Sequence, residues 1–176
     1  MSVFTKLLRA VVGVLFVGHG TQKLFGWFGG HGPDGTAQFF EGLGLRPGRR
    51  NALAAGATEA GGGLLLAAGV ATPVAAAGLS GTMITAIQRA HWKNGLWSTD
   101  GGFEYNLVLL AALAAVTAEE RGPGWALAQL AAGAAGSVAV SELARRAEER
   151  DGPRRPEPAE TSWSPAAFEQ EPVPAE

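Results

Sequence analysis

The feature that most constrains the fold is a run of 38 residues, 51–88, that contains a single charged side chain, Glu59. As one helix this run would be about 57 Å long, almost twice the ~30 Å thickness of a hydrocarbon core. Thr72 and Pro73 lie near its middle, and the residue before a proline is biased out of the helical region. The run also lacks the polar stripe of a water-soluble helix. We therefore predict two membrane spans, near 51–70 and 73–91, folded back as a hairpin.

A first span precedes this hairpin. It begins near Phe4 or Arg9 and ends at the aromatic cluster "LFGWFG", which suits the headgroup level of a bilayer. A cleaved signal peptide is the alternative, because Lys6 and Arg9 precede the apolar stretch. No small-residue cleavage site of the A-x-A kind follows, so we favour a retained span.

Two further apolar segments follow the hairpin. The first is "GGFEYNLVLLAALAAVTA", which ends at Glu119, Glu120 and Arg121. The second has 20 uncharged residues, 122–141, and its alanines and glycines make it only marginally apolar, so it crosses the membrane, lies at its interface or packs on the other helices. The predicted fold is all-α, a transmembrane helical bundle of four core spans plus a fifth hydrophobic helix. The predicted domains are 1–121 for the bundle, 122–144 for the additional helix and 145–176 for a tail.

The tail differs in composition from the rest of the chain. Residues 142–176 carry 14 charged side chains, against 16 in all of 1–141, and six of the ten prolines fall in 149–176. Such a segment has too little apolar surface to offset the entropy lost on ordering. We predict that the tail is disordered.

Composition also excludes several kinds of site. The chain has no cysteine, which removes disulfides, thiolate metal sites and iron–sulfur clusters. Its basic residues are scattered, so nucleic-acid binding is not expected. Neither "GGG" at 61–63 nor "GHGTQK" has the strand–loop–helix setting of a phosphate-binding loop.

Orientation follows from the distribution of lysine and arginine. Five spans with the N-terminus outside place 11 of the 14 basic residues inside, whereas four spans with the N-terminus inside give eight against six. The count favours five spans. Both arrangements place the C-terminal tail in the cytoplasm, and we predict a multi-pass protein of the bacterial cell membrane.

Antiparallel spans bring most of the polar side chains to one side of the membrane. Lys23 and His19 end the first span, and Glu59 lies about 13 Å inside the second. The candidate pocket residues are His19, Lys23, Glu59, His91 and Glu104. The supporting polar residues are Arg9, Gln22, Gln88 and Arg89.

Glu59 is the most informative of these residues. An ionisable group within a span costs ~2.5–3.5 kcal/mol on insertion scales and usually faces a partner inside the bundle. Lys23 or His19 is the expected partner. The pair either fixes the packing of two helices without any chemistry, or forms a protonatable pocket for a polar head group or a proton relay.

Other polar residues point less clearly to function. Arg89, Lys93 and Trp92 suit interface anchors, and His31 in "GGHGPDG" suits a turn. Residue type alone would allow a metal among His19, His91, Glu59 and Glu104, but no His-x-x-His or Glu-x-x-His spacing supports it. We predict no metal site and assign no catalytic residue.

The ordered segments "RAVVGVLFVGHGTQKLFGWFG", "FFEGLGL", "GATEAGGGLLLAAGVATPVAA" and "DGGFEYNLVLLAALAAV" resemble the DoxX family of small bacterial membrane proteins, over roughly residues 5–130. The resemblance implies four transmembrane helices. The positions that match the family pattern are Arg9, His19, Gly20, Lys23, Glu59, Gly62, Gly63, Gly102 and Glu104. The chain departs from the pattern after Gly124.

What the resemblance implies for function is a link to quinone-side redox work. The family name derives from a subunit of archaeal terminal-oxidase and thiosulfate:quinone oxidoreductase systems, and some bacterial members are linked to oxidative-stress complexes. One hypothesis is therefore a redox-linked subunit that binds a quinone and takes electrons from a soluble partner, since no cofactor ligands are evident in the sequence. The alternative is a non-enzymatic membrane scaffold or small-solute permease.

Overall fold

The computed structural model describes residues 1–151, and within them the chain forms six α-helices. Their bounds are α1 Val3–Phe25, α2 Gly32–Gly42, α3 Gly48–Ala68, α4 Thr72–Ala86, α5 Glu104–Arg121 and α6 Pro123–Asp151. The described residues include no strand, so the predicted all-α bundle is confirmed.

The short turns at 69–71 and at Gly122 reverse the direction of the helices that they join, and the bundle has two distinct ends. The loop end carries residues 26–47 and 87–103, and the hairpin end carries 69–71 and Gly122. α3 ends at Ala68 and is capped by Gly69, which has a left-handed φ of 74°, and Pro73 lies in the first turn of α4. The predicted break near Thr72 and Pro73 is therefore present, with the reversal itself at Gly69–Ala71.

Helices α1 and α3 pack more closely than ordinary side chains would allow. A Cβ atom at Gly13 would lie 2.6 Å from the carbonyl oxygen of Gly63, and one at Gly20 would lie 2.7 Å from the Cβ of Ala60. Only glycine fits at such a distance. The small residues that would weaken a helix in water thus bring two backbones together here, as in membrane helix pairs.

The core lies between these helices and α4 and α5. Its largest fully buried side chains include Phe16, Leu66, Leu79, Leu113 and Val116. The outer surface is also apolar, because α1 alone exposes Val3, Phe4, Leu7, Val11, Val14 and Leu15. A bundle with apolar residues both inside and outside fits a hydrocarbon environment.

The structure contains one α-helix that the sequence pattern did not indicate. α2 spans Gly32–Gly42, between the first predicted span and the predicted hairpin, and His31, assigned to a turn, is the residue before its first helical position. Pro33 and Asp34 lie in its first turn, where proline and acidic residues favour the start of a helix. The helix is short and glycine-rich, so its periodicity was weak.

The helices α4 and α6 differ from the predicted bounds. α4 ends at Ala86 and continues as a π-helical turn, Ile87–His91, rather than as α-helix to residue 91. α6 continues to Asp151, past the boundary drawn at 144, because Arg145 and Arg146 pair with Glu142 and Arg145 also pairs with Glu149 one turn apart. The remainder of the tail, 152–176, lies outside the described residues.

Two of the described helices, Val3–Phe25 and Pro123–Arg150, are long and apolar enough to cross a membrane by length and composition. The segment at 122–141, which had three alternative placements, lies within the second of these helices. The other helices do not meet the same criterion within residues 1–151. Four or five crossings therefore stay a prediction.

Candidate functional site

The centre of the site is an ion pair between α1 and α3. Lys23 Nζ lies 2.5 Å from Glu59 Oε2, and the same amine donates to the backbone carbonyl of His19 at 3.4 Å. Glu59 is buried, with 3% of its surface exposed, whereas the Lys23 side chain is 22% exposed. Of the two partners predicted for Glu59, the structure selects Lys23.

Glu59 also forms part of the wall of a groove of about 510 Å³. The groove runs between α2, α3, α4 and α6. Along α4 and the π-helical turn that follows it, the lining extends from Val74 to Ala90, a rise of roughly 24 Å. Most of the wall is alanine, glycine and other apolar side chains. Its polar lining residues are Asn51, Thr58, Glu59, Thr82, Thr85, Arg89 and Ser137.

The shape and lining of the groove restrict what it can hold. An apolar cavity with a few polar groups is the usual form of a small-molecule site, and its elongation suits a chain-like molecule. Glu59 lies about 12 Å deeper than Asn51 along α3. Asn51 Nδ2 is buried without a hydrogen-bond partner among residues 1–151, so a donor is available toward the loop end.

His19 lies beside the ion pair without joining it. Its Nδ1 donates to Gln22 Oε1 at 3.2 Å, and its ring meets Tyr105 edge-on, with centroids 6.3 Å apart. Gln22 in turn donates to the carbonyl of Phe28 at 3.3 Å. His19 and Gln22 thus connect α1 to α5 and to the turn that follows α1, and neither lines the groove.

His91 and Glu104 belong to a different part of the loop end. His91 Nδ1 donates to the carbonyl of Gly101 at 2.7 Å, and Glu104 Oε2 accepts the backbone N–H of Ser98 at 3.0 Å. Both bonds hold the connection between α4 and α5 in place. Within the described part of the chain, no three histidine or acidic side chains come together as a metal site would require.

The remaining supporting residues fall at both ends of the bundle. Gln88 Oε1 accepts a hydrogen bond from Ser137 at 3.1 Å, and Arg89 lines the mouth of the groove. Arg9 pairs with Glu120 at 2.9 Å at the hairpin end. Arg9 therefore ties α1 to α5 on the side of the bundle opposite to the ion pair.

Several groove residues were not among the sequence candidates. Asn51, Thr85 and Ser137 are uncharged and lie in apolar runs, so charge did not single them out. The sequence feature that could have indicated them is a polar side chain in a segment that is otherwise apolar. That signal becomes specific only when the packing of α4 against α6 is known.

Comparison with known families decides what kind of protein carries this site. The DoxX family model matches residues 4–92, just over half of the chain. The chain belongs to the DoxX family. The match includes α1 to α4 and therefore Lys23, Glu59 and three of the four helices around the groove. No curated protein and no solved structure matches the chain.

With its apolar helices, this chain is a membrane protein of the DoxX family. The resemblance noted in the sequence is thereby confirmed for residues 4–92. Two motif positions lie beyond the matched segment: Gly102, just before α5, and Glu104, the first residue of α5. α6, which closes one side of the groove, also lies beyond it.

Proposed function

We propose that this DoxX-family protein binds an amphiphilic molecule of the quinone class in the groove and serves a redox-linked membrane complex. The single observation that carries the proposal is the position of Glu59, a buried carboxylate in the wall of an elongated apolar groove. An apolar tail would lie along the alanine and glycine wall of α4 and α6. The polar head would contact Glu59 and the polar groups near it.

Glu59 has the chemistry to exchange a proton with such a head group. Reduction of a quinone to a quinol takes two electrons and two protons, and the protons go to the two carbonyl oxygens. Glu59 would act as a proton donor or acceptor for one of these oxygens. The positive charge of Lys23 would stabilise the ionised form of Glu59. The electrons would come from a soluble redox partner.

The same proposal sets the protein in the bacterial cell membrane. α6 runs beside α4 along the bundle, since Ser137 lies 2.9 Å from Thr85, and a Cβ atom at Gly81 would lie 3.3 Å from the carbonyl of Gly133. This packing is not that of a helix lying at the interface, and we propose α6 as a fifth span. The tail beyond it would then be cytoplasmic.

The test is a binding titration on the purified full chain in detergent. A ubiquinone or menaquinone analogue is titrated against the wild type and against Glu59→Gln, with Glu104→Gln as a matched control on the loop connection. We expect saturable binding to the wild type and to the control, and at least about tenfold weaker binding to Glu59→Gln. Absent binding, or equal binding by all three proteins, would contradict the proposal.

A second candidate function is a non-enzymatic scaffold or permease, and the charged end of α6 favours it. Glu142, Arg145, Arg146 and Glu149 form an exposed ion-pair cluster that could recruit a cytoplasmic protein. Deletion of residues 145–176 should then abolish the cellular phenotype while the bundle stays folded. If only groove substitutions affect the phenotype, the scaffold form fails.

A further inference from the structure

A second cavity lies at the loop end, beside the mouth of the groove. Its volume is about 330 Å³, and its walls come from the loop after α2, the π-helical turn after α4 and the charged end of α6. Arg89 lines both this cavity and the groove. Half of the residues that line the cavity are charged, and Glu142, Arg145 and Glu148 are the others. We call this cavity the loop-end pocket.

Four charged side chains at the end of α6 neutralise one another. Arg145 bonds Glu142 at 2.6 Å and also pairs with Glu149, while Arg146 bonds Glu142 at 3.0 Å. Both carboxylate oxygens of Glu142 accept hydrogen bonds in these contacts. These four residues therefore contribute no net charge to the pocket, and Glu142 is already neutralised by two guanidinium groups.

The other charges at the pocket, those of Arg46, Arg89 and Glu148, leave one positive charge in excess. Arg46 Nε lies 4.0 Å from Glu148 Oε1, a long distance for an ion pair. The Arg89 guanidinium forms neither an ion pair nor a hydrogen bond among residues 1–151. A Cβ atom at Gly44 would lie 3.6 Å from Glu148 Oε1 and 3.8 Å from Arg89 Nη1, so both groups reach the same wall of the pocket. The pocket thus holds an arginine that is free to bind an anion, beside one carboxylate that a second arginine balances.

The loop-end pocket lies at the level expected for lipid head groups if α6 crosses the membrane. The helical rise along α6 from Pro123 to Ser141 is about 27 Å, close to the ~30 Å thickness of a hydrocarbon core. Glu142, the next residue, is the first charged side chain of α6. Val138, one turn before it, is exposed and lines the pocket. A phosphate in the pocket would therefore lie at the membrane surface, with its acyl chains against apolar side chains of α6.

We propose that the loop-end pocket binds the phosphate of an anionic phospholipid. Basic pockets between transmembrane helices bind anionic lipid head groups in other membrane proteins. The guanidinium of Arg89 has a planar fork that matches two phosphate oxygens. The Ser141 hydroxyl supplies a second donor, since its oxygen is buried and has no partner within the described chain.

The excess positive charge selects among lipids. A zwitterionic head group would need a free carboxylate for its cationic part, whereas Arg46 balances Glu148 and two arginines balance Glu142. An anionic head group needs only the free guanidinium of Arg89. The inference goes beyond the proposed function, because it places a lipid beside the mouth of the groove and requires no quinone.

The test measures lipid binding by the purified full chain in detergent, with native mass spectrometry as the readout. The probes are phosphatidylglycerol, which is anionic, and phosphatidylcholine with identical acyl chains, which is zwitterionic. Arg89→Gln removes the free guanidinium. Arg50→Gln is the matched control, because Arg50 is an exposed arginine at the same end of the bundle and does not line the pocket.

We expect the wild type and Arg50→Gln to bind phosphatidylglycerol at least about tenfold more tightly than phosphatidylcholine, and Arg89→Gln to lose this preference. Equal losses in the two arginine variants would mean diffuse attraction to positive charge and would overturn the proposal. Equal binding of the two lipids by the wild type would also overturn it. Inorganic phosphate at the lipid concentration should not displace phosphatidylglycerol. Displacement would assign the pocket to a free anion instead of a lipid.

Two further variants separate lipid binding from folding and from the proposed function. Ser141→Ala keeps every charge and should weaken phosphatidylglycerol binding about threefold or more through the lost hydrogen bond, so it tests the pocket even if Arg89→Gln folds poorly. Unchanged binding by Ser141→Ala would place the lipid elsewhere. Glu59→Gln should retain phosphatidylglycerol binding, because Glu59 lines the groove and not the loop-end pocket. Since no quinone is present, failure of this inference is distinguishable from failure of the proposed function.

Discussion

Lys23 Nζ and Glu59 Oε2, 36 residues apart in the chain, lie 2.5 Å from each other and join the loop end of α1 to the middle of α3. The Glu59 side chain is almost fully buried, whereas the Lys23 side chain is partly exposed. The two ends of the pair are therefore not equivalent. This asymmetry gives the first prediction.

Removal of Lys23 should destabilise the protein more than removal of the Glu59 charge. Lys23→Met leaves a buried carboxylate without a partner, which costs about 3 kcal/mol or more. Glu59→Gln leaves an amine that can turn toward water, so its effect should be smaller. The double variant Lys23→Met/Glu59→Gln should recover part of the loss. Thermal unfolding in detergent micelles measures all three. A Glu59→Gln variant less stable than Lys23→Met would contradict this ranking.

The glycines of α1 should differ in their tolerance of a methyl group. Gly20→Ala places a Cβ atom against Ala60 and should lower stability by about 1–3 kcal/mol, because the helices must move apart. Gly18→Ala is the control, since nothing lies within 4 Å of its Cβ position. It should be neutral or slightly stabilising. Denaturant titration in micelles compares the two, and equal losses would mean that close α1–α3 packing is not what Gly20 provides.

Filling the groove should block its ligand without unfolding the bundle. Gly136 lines the groove, and its Cβ position has no neighbour within 4 Å, so Gly136→Leu adds volume only to the groove. We expect binding of the quinone analogue to weaken at least about tenfold with an unchanged melting temperature. Gly61→Leu, which is equally free of neighbours but lies outside the groove, is the control. Similar binding by both variants would place the ligand elsewhere.

The number of crossings can be read from reporter fusions. A fluorescent or alkaline phosphatase reporter after Ala118 should report the outside, and one after Glu176 should report the cytoplasm, because α6 lies between the two positions. A fusion after Gly48 should give the same readout as the fusion after Glu176, because five spans put both positions on one side of the membrane. Identical readouts from the first two fusions would remove the fifth span.

Much of the bundle follows from local pattern. The apolar runs and the Thr72–Pro73 break predict α1, α3, α4 and α5 to within a few residues, because helix length and proline geometry are local properties. α2 was missed since 11 residues with three glycines give weak periodicity. The end of α6 was missed because the high charge of its last turns predicted a disordered segment. Ion pairs between residues 142 and 149 stabilise the helix there instead.

The site was predictable only in part. Antiparallel connectivity was sufficient to place Lys23, His19 and Glu59 at similar depth, and the insertion cost of a charge implied that Glu59 needs a partner. The choice between Lys23 and His19 depended on side-chain reach across the α1–α3 contact. His91 and Glu104 share the same end of the bundle, yet they hold a loop, and no local pattern separates that role from a pocket role.

By itself, the sequence determined the membrane environment, the helical class and the need of Glu59, in an otherwise uncharged run, for a partner, because hydropathy and charge are properties of each residue alone. Tertiary structure decided that Lys23, and not His19, pairs with Glu59. It also decided which polar side chains line the groove. Those outcomes depend on the distances between packed helices, and these distances cannot be inferred from the sequence of residues alone.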